Sequence, residues 1–299
     1  MGERDGLAER FEAQRGQLRA VAYGMLGSLS EADDAVQEAW LRLGRVDAGD
    51  VDNLAGWLRT VVTRICLDML RFRRSRREDL TGQVPDQVSD PAQGSHPEDE
   101  AVLADSVSRA LLVVLDTLDP AERIAFVLHD MFAVPFGQIA PIVERTPAAT
   151  KKLASRARRK VRGTPVIPAA ELAQHRQVVS AFLAAARAGD LTAILAVLAP
   201  DVVRRADPAA VPPGGAAEVR GARAVAEGTV ALARRSQFAE LALVDGTVGV
   251  IVAPHGHLVV ALTFTIKGNK IAEYDVIADP ARLQQLDLAI LNYTGEQSR

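Results

Sequence analysis

Residues 136–162, FGQIAPIVERTPAATKKLASRARRKVR, restrict the chain more than any other stretch. Phe136, Ile139, Ala140 and Val143 keep an apolar helical period, residues 144–146 read as a turn, and Thr146 with Pro147 supplies a cap and first helical position for a second helix. The spacing is that of a helix-turn-helix. On the second helix Leu153, Ala157 and Val161 form the expected buried stripe, and Lys151, Lys152, Arg156, Arg158, Arg159, Lys160 and Arg162 crowd the remaining faces. A helix of this kind suits the major groove, with Thr150, Lys151 and Lys152 near base edges and the later arginines near phosphates. A solvated basic surface helix has the same composition, but it does not need a preceding partner helix at this spacing.

The charge distribution points the same way. The windows 71–77 and 145–162 hold 5 and 8 basic residues and no acid, while the rest of the chain carries 22 basic against 38 acidic residues. A polyanion would therefore be drawn to two places and repelled elsewhere. The single cysteine, Cys66, lies in an apolar helical period and reads as a small core residue. No apolar run has membrane-spanning length and the N-terminus lacks signal-peptide form, so the expectation is a soluble, cytoplasmic protein with no membrane contact.

Residues 7–44 predict two helices joined near Gly27–Ser30, with Ser30 as the cap of the second. On that second helix Ala32, Ala35, Val36, Ala39, Trp40 and Leu43 form the apolar face, and Asp33, Asp34, Gln37, Glu38 and Leu41 lie mostly opposite. Four polar groups beside an exposed leucine fit a protein-binding face, although first-turn acids also serve the helix dipole. After the loop GRVDAGDVDN comes a third helix from Leu54. Its apolar set is Leu54, Trp57, Leu58, Val61, Ile65, Leu67, Met69 and Leu70, leaving Arg59, Thr60, Thr63, Arg64, Asp68 and Arg71 for the other side. Trp57 fits either the core or a stacking role on unpaired bases.

The blocks DDAVQEAWLRL, WLRTVVTRICLDMLR and LDTLDPAERIAFVLHDM, followed by the helix-turn-helix, resemble bacterial sigma factors of the extracytoplasmic-function group, in the sigma-70 family. The resemblance implies region 2 over 5–77, a linker over 78–104 and region 4 over 105–163. It implies core RNA polymerase as partner, through Asp33, Asp34, Gln37, Glu38 and Leu41 on the beta-prime clamp and through region 4 on the beta flap. It further implies promoter DNA, with Trp57, Arg59, Thr60, Thr63, Arg64, Arg71, Arg73 and Arg74 at the minus-ten element. Residues 44–53 would pocket a flipped base. Thr150, Lys151, Lys152, Ser155, Arg156, Arg158 and Arg159 would meet the minus-thirty-five duplex. Many members carry Arg-Asn where this chain has Thr63 and Arg64. The linker is rich in proline, glycine and acids, and Asp79, Asp86 and Asp90 are its candidates for occupying a channel built for phosphates. Asp119 and Pro120 open a helix to Met131, near whose end His129 reads as a packing residue without metal-ligand spacing. No cofactor or metal is implied.

The chain continues well beyond Gly163. A helix through Val178, Val179, Phe182, Leu183 and Ala186 runs to Gly189, and Asp190 caps another. A loop with Pro208, Pro212 and Pro213 precedes a helix from about Ala222 to Arg235. Three period-two strands follow, through Val248–Val252, Leu258–Ile266 and Ile271–Val276. Helices before a curved antiparallel sheet make an α+β cone over 169–292, similar to the SnoaL-like, NTF2-like fold, and the whole chain resembles sigma factors with such a fused extension. The expected fold is thus two all-α modules followed by this cone. The resemblance implies intramolecular contact between the cone and the sigma modules, tuning activity through Asp207, Asp279, Pro280, Arg282 and Leu283. Alternatives are a helix-turn-helix regulator whose extension senses a small-molecule ligand, or one whose extension is an enzyme using Asp207, His255, His257, Tyr274 or Asp275. No acid/base pair is fixed by spacing, so no catalytic residue and no enzyme activity are expected.

Overall fold

The computed structural model describes residues 3–46, 53–79, 108–211 and 214–291. They form two compact units, the first built from residues up to Ser108 and from Leu115–Arg158, the second from Arg109–Val114 and the chain from Arg159 onward. The base-pocketing loop (mostly residues 47–52), Asp86 and Asp90 of the linker, and Pro212 and Pro213 lie outside the described residues, as does the side chain of Asp79.

In the first unit α1 (Glu3–Leu26), α2 (Leu29–Leu43) and α3 (Leu54–Asp79) pack as a bundle. Its interior holds Phe11, Leu18, Val21, Met25, Val36, Leu43, Leu58, Val62 and Leu67, all buried. At roughly 1.5–3 kcal/mol for each large apolar side chain, this burial is what drives the bundle together. Gly27 (φ 74) ends α1, and Ser28, not Ser30, caps α2 by accepting the Glu31 N–H at 3.5 Å. The reason is Leu29: it is buried, so the helix must begin there for its side chain to reach the core. Asn53 caps α3, its Oδ1 accepting the Gly56 N–H at 2.9 Å.

The same unit contains α5 (Pro120–Phe126), a wider turn Val127–Met131, and α6 (Phe136–Ile139). Helices α4 (Arg109–Asp116) and α7 (Pro147–Arg162) each contribute residues to both units. Pro120 takes the first position of α5 as expected, but the Asp119 carboxylate makes no cap and pairs with Arg74 of α3 instead. Gly24 of α1 faces Val127, Met131 and Phe132 at a closeness that leaves little room for a larger residue, since a Cβ there would sit 3.3 Å from Val127.

The second unit is a seven-stranded sheet carrying helices. Its strands are β1 (Leu198–Ala206), β2 (Glu218–Arg220), β3 (Ala239–Val244), β4 (Thr247–Val252), β5 (Val260–Lys267), β6 (Lys270–Ile277) and β7 (Leu288–Ala289), in the order β2-β1-β6-β5-β4-β3-β7. Helices α8 (Ala169–Ala188), α9 (Leu191–Val197) and α10 (Ala222–Ala231) cover it, with Val179, Phe182, Ile194, Val225, Phe264 and Tyr274 in the shared core. Gly189 (φ 66) and the Asp190 cap, on the Ala193 N–H at 3.0 Å, turn α8 into α9 as expected. The short helices α11 (Ala233–Ser236) and α12 (Pro280–Gln285) complete the unit.

The sheet is mixed and not wholly antiparallel: β1 runs parallel to β6, with Arg204 beside Tyr274. Strand β1 lacks an apolar alternation and bears a register shift between Leu198 and Val203, so period-two reasoning passes over it. Strand β3 is missed for the opposite reason, its core-facing run ALALV being interrupted only by Glu240 and nearly continuous in apolarity. Among the described residues no helix is long and apolar enough to cross a membrane.

Candidate nucleic-acid interface

The helix-turn-helix forms as its spacing demands. Glu144 adopts φ 57 in the turn, the Arg145 N–H donates to the Ala140 carbonyl at 3.0 Å, and Thr146 Oγ1 caps α7 by accepting the Ala149 N–H at 3.2 Å. The buried stripe of α7 is Thr150, Ala154, Ala157 and Val161, one residue displaced from the expected Leu153, which is only partly buried. Small residues let α7 approach its neighbours closely, and Leu153 takes the flank. Thr150 is therefore withdrawn from any groove: it is fully buried, and its hydroxyl donates to the Thr146 carbonyl at 3.0 Å. Lys151, Lys152, Ser155 and Arg159 are exposed. Arg156 and Arg158 are held by carboxylates of the protein: Arg156 Nε donates to Glu122 at 2.7 Å and Arg158 Nε to Asp130 at 2.5 Å. Those two pairs brace α7 against α5 and the turn after it, and Glu122 is almost wholly buried.

Helix α3 sorts its residues more finely than sequence periodicity does. Arg64 and Arg71 are exposed, with Trp57 and Thr60 partly so on the same side. Thr63 is fully buried, its hydroxyl donating to the Arg59 carbonyl at 2.7 Å, so it reaches no ligand. Its methyl and hydroxyl are both accommodated inside the bundle, which is how a polar residue occupies a core position. Arg59, Arg73 and Arg74 are held by protein groups: Arg59 donates to Gln138 at 2.8 Å, Arg73 to the Leu26 carbonyl at 3.1 Å and also to Glu31, and Arg74 pairs with Asp119. Around Arg73, Arg74 and Arg123 there is a cleft of about 230 Å³, lined also by Asp116, Thr117 and Asp119. A signal that sequence reasoning passed over is Phe72, a large aromatic in the basic run that the apolar stripe skips; it is 64% exposed.

On α2, Asp34, Gln37 and Leu41 are exposed, and Leu41 is half accessible. Asp33 is paired with Arg19 at 2.8 Å and Glu38 with Arg42 at 2.8 Å, both at the rim of the same face. Burial pushes the Cys66 thiol up to about 12, against a smaller lowering by Arg123, so it stays protonated and buried. His129 packs as expected, stacked on Phe136 with centroids 3.8 Å apart and its Nδ1 3.0 Å from the Val134 carbonyl.

In the second unit the structure brings together residues far apart in sequence. Asp207 is buried, and its Oδ2 accepts the Ala278 and Asp279 N–H groups at 3.0 Å each while Oδ1 accepts from Arg282. Burial alone would raise the Asp207 carboxyl; the N–H groups of Asp279 and Ala278 and the Arg282 guanidinium outweigh it and hold it below the usual carboxylate range. Asp279 in turn caps α12 through the Arg282 N–H at 3.0 Å, leaving Pro280 exposed and Leu283 partly buried. The group thus locks a loop in place. His255 and His257 are exposed, and Tyr274 is buried among Phe182 and Phe264, each centroid 5.7 Å away, with its hydroxyl 3.3 Å from Thr229. Asp275 lies on β6, partly buried.

The profile of Sigma-70 region 2 matches residues 10–77 and that of Sigma-70, region 4 matches residues 108–161. The chain is 40% identical over 250 residues to the ECF RNA polymerase sigma factor SigJ of Mycobacterium tuberculosis, covering 81% of this chain and 80% of the relative. It is 39% identical over 208 residues to a probable ECF RNA polymerase sigma factor, SigI, of the same species, covering 69% of this chain and 72% of the relative. The crystal structure of the Mycobacterium tuberculosis SigJ protein aligns over 92% of this chain and 98% of that one at 34% identity, with a TM-score of 0.45.

Proposed function

Because the chain belongs to the extracytoplasmic-function sigma factors, we propose that its three surfaces divide the work of promoter-directed transcription initiation among identified residues. The exposed set on α2, Asp34, Gln37 and Leu41 with Asp33 and Glu38 at its rim, binds the beta-prime clamp of core RNA polymerase. The outer side of α3, Trp57, Thr60, Arg64 and Arg71, meets the minus-ten element. Lys151, Lys152, Ser155 and Arg159 of α7 meet the minus-thirty-five duplex, with Arg156 and Arg158 reaching phosphates from their braced positions. Arg59, Arg73 and Arg74 join the minus-ten contacts on release from Gln138, Glu31 and Asp119. The protein acts by binding and not by catalysis, in the cytoplasm, with region 4 also on the beta flap. The second unit tunes initiation by intramolecular contact with the sigma modules, and the loop locked by Asp207, Asp279 and Arg282, with Pro280 and Leu283, is its regulatory element.

The observation carrying this reading is the pairing, in chain order, of an acidic exposed face on α2 with cationic exposed faces on α3 and α7. In vitro transcription with core polymerase tests it. Full-length protein starts defined transcripts from its target promoters, and Asp34→Arg or Glu38→Arg abolishes them while DNA binding of the isolated protein is unchanged. An ordinary helix-turn-helix regulator would be indifferent to both substitutions.

A further inference from the structure

From the exposure of Phe72 and the charge around it, we infer that this side chain is a second stacking site for an unpaired base, downstream on α3 from the position of Trp57. The inference rests on the sigma-factor reading above. Leaving a phenylalanine in water forgoes the stabilisation of burying it, and Phe72 is 64% exposed on a helix whose nearby Leu70 is buried. Its neighbours do not make it a greasy patch. Arg71 and Arg76 flank it, both exposed, and the Arg76 guanidinium lies over the ring at 5.7 Å from the centroid. Asp68, one turn back, stands 3.9 Å from Arg71, the two being an exposed pair.

An occupant of this surface has to satisfy two requirements at once: a flat apolar face for the ring and negative charge for the exposed Arg71 and Arg76 beside it. A single DNA strand meets both, since each nucleotide offers a π-face and a phosphate. An apolar protein groove meets only the first. Duplex DNA meets only the second, because its bases are already stacked. Residues 57 and 72 are separated by about 22 Å along the helix at 1.5 Å per residue, several base steps, so the two aromatics hold different nucleotides. Helical position adds to this: with 3.6 residues per turn, Trp57, Arg64, Arg71 and Phe72 lie within a sector of about 100° around α3, with Asp68 between them paired to Arg71, whereas Arg59 and Arg73 point to the opposite side. The arginines of the sector track the backbone and the aromatics at its two ends take bases.

The experiment uses full-length protein with core RNA polymerase on one promoter in two forms, fully duplex and with a pre-formed unpaired bubble over the minus-ten region, reading complex formation and permanganate reactivity of unpaired thymines. Base–aromatic stacking of about 1–3 kcal/mol predicts that Phe72→Ala lowers open-complex formation about 5- to 150-fold, with the loss persisting on the bubble template. Phe72→Trp restores it and Phe72→Leu does not. Full activity of the leucine variant would mean apolar packing against protein and overturn the inference. So would weakened binding of Phe72→Ala to core polymerase in the absence of DNA, or an alanine variant equal to wild type on both templates. If wild-type protein itself forms no open complex, the sigma-factor reading fails and not the stacking site alone. Circular dichroism melts of each variant separate these outcomes from misfolding, which an exposed site does not predict.

Discussion

Replacing Asp207 provides the sharpest energetic test of the second unit. In Asp207→Ala the Ala278 and Asp279 N–H groups, both only partly exposed, lose their shared acceptor, and Arg282 loses its anion. Hydrogen bonds to a charged group are worth roughly 1.5–3 kcal/mol each, and the half-exposed Arg282 adds at most about 1 kcal/mol after screening by solvent. The expected loss is about 3–7 kcal/mol, or roughly 10–25 °C in the melting of this unit. Asp207→Asn keeps a neutral acceptor and loses about 1–2 kcal/mol. The sign with pH follows from the lowered carboxyl: the folded chain binds fewer protons at Asp207 than the unfolded one, so its contribution is complete above the ordinary carboxylate range near pH 4 and drains away as pH falls through the folded value. Urea titration of wild type and Asp207→Asn between about pH 7 and 3 measures it, with amide exchange at Ala278 and Asp279 as the local readout. A wild-type-to-Asn difference that stays constant across that range, or unchanged exchange at both amides, would refute the network as described.

Four further outcomes are expected. Cys66, buried and with its thiol pushed up to about 12, resists maleimide in the native protein at neutral pH and reacts stoichiometrically only in denaturant. Glu240→Ala removes the acceptor of the Arg109 and Ala110 N–H groups, at 3.3 and 3.0 Å, and costs about 1 kcal/mol, as loss of a helix cap does, seen as faster exchange of those amides. Gly163→Ala is destabilising by at least about 1 kcal/mol, because φ is +60 and the new methyl would collide with Ala289 and Leu243; chemical denaturation reads it directly. Lys152→Ala weakens duplex binding uniformly across sequences and reduces the log–log salt slope by about 1, checked by titration over a range of salt.

Legibility in the sequence tracked how local the determining interactions are. The turn of the helix-turn-helix, the Thr146 and Asp190 caps and the Gly189 turn are readable because each is fixed by residues within five of one another. An apolarity count places Leu153 in the stripe of α7 because a leucine outranks an alanine, whereas helix packing selects the small Ala154. Thr63 and Thr150 read as surface hydroxyls, but each returns its hydrogen to a carbonyl one turn back and so enters the core at little cost, which composition does not reveal. The arginine partners Glu122, Asp130 and Asp119 were beyond reach, being 34, 28 and 45 residues from Arg156, Arg158 and Arg74. The parallel pairing of β1 with β6 is longer-range still. Phe72 was visible all along as an aromatic off the stripe, and only its exposure gave it meaning.

The bond from the start of α4 to Glu240 spans 130 residues of chain. On a ribosome adding about 5–20 residues per second, the Ala110 amide waits on the order of ten seconds for its acceptor to be made, and longer for it to clear the exit tunnel. Throughout that interval the first turn of α4 lacks the carboxylate that accepts its N–H groups. The order of synthesis thus leaves the first turn of α4 uncapped until β3 has been made.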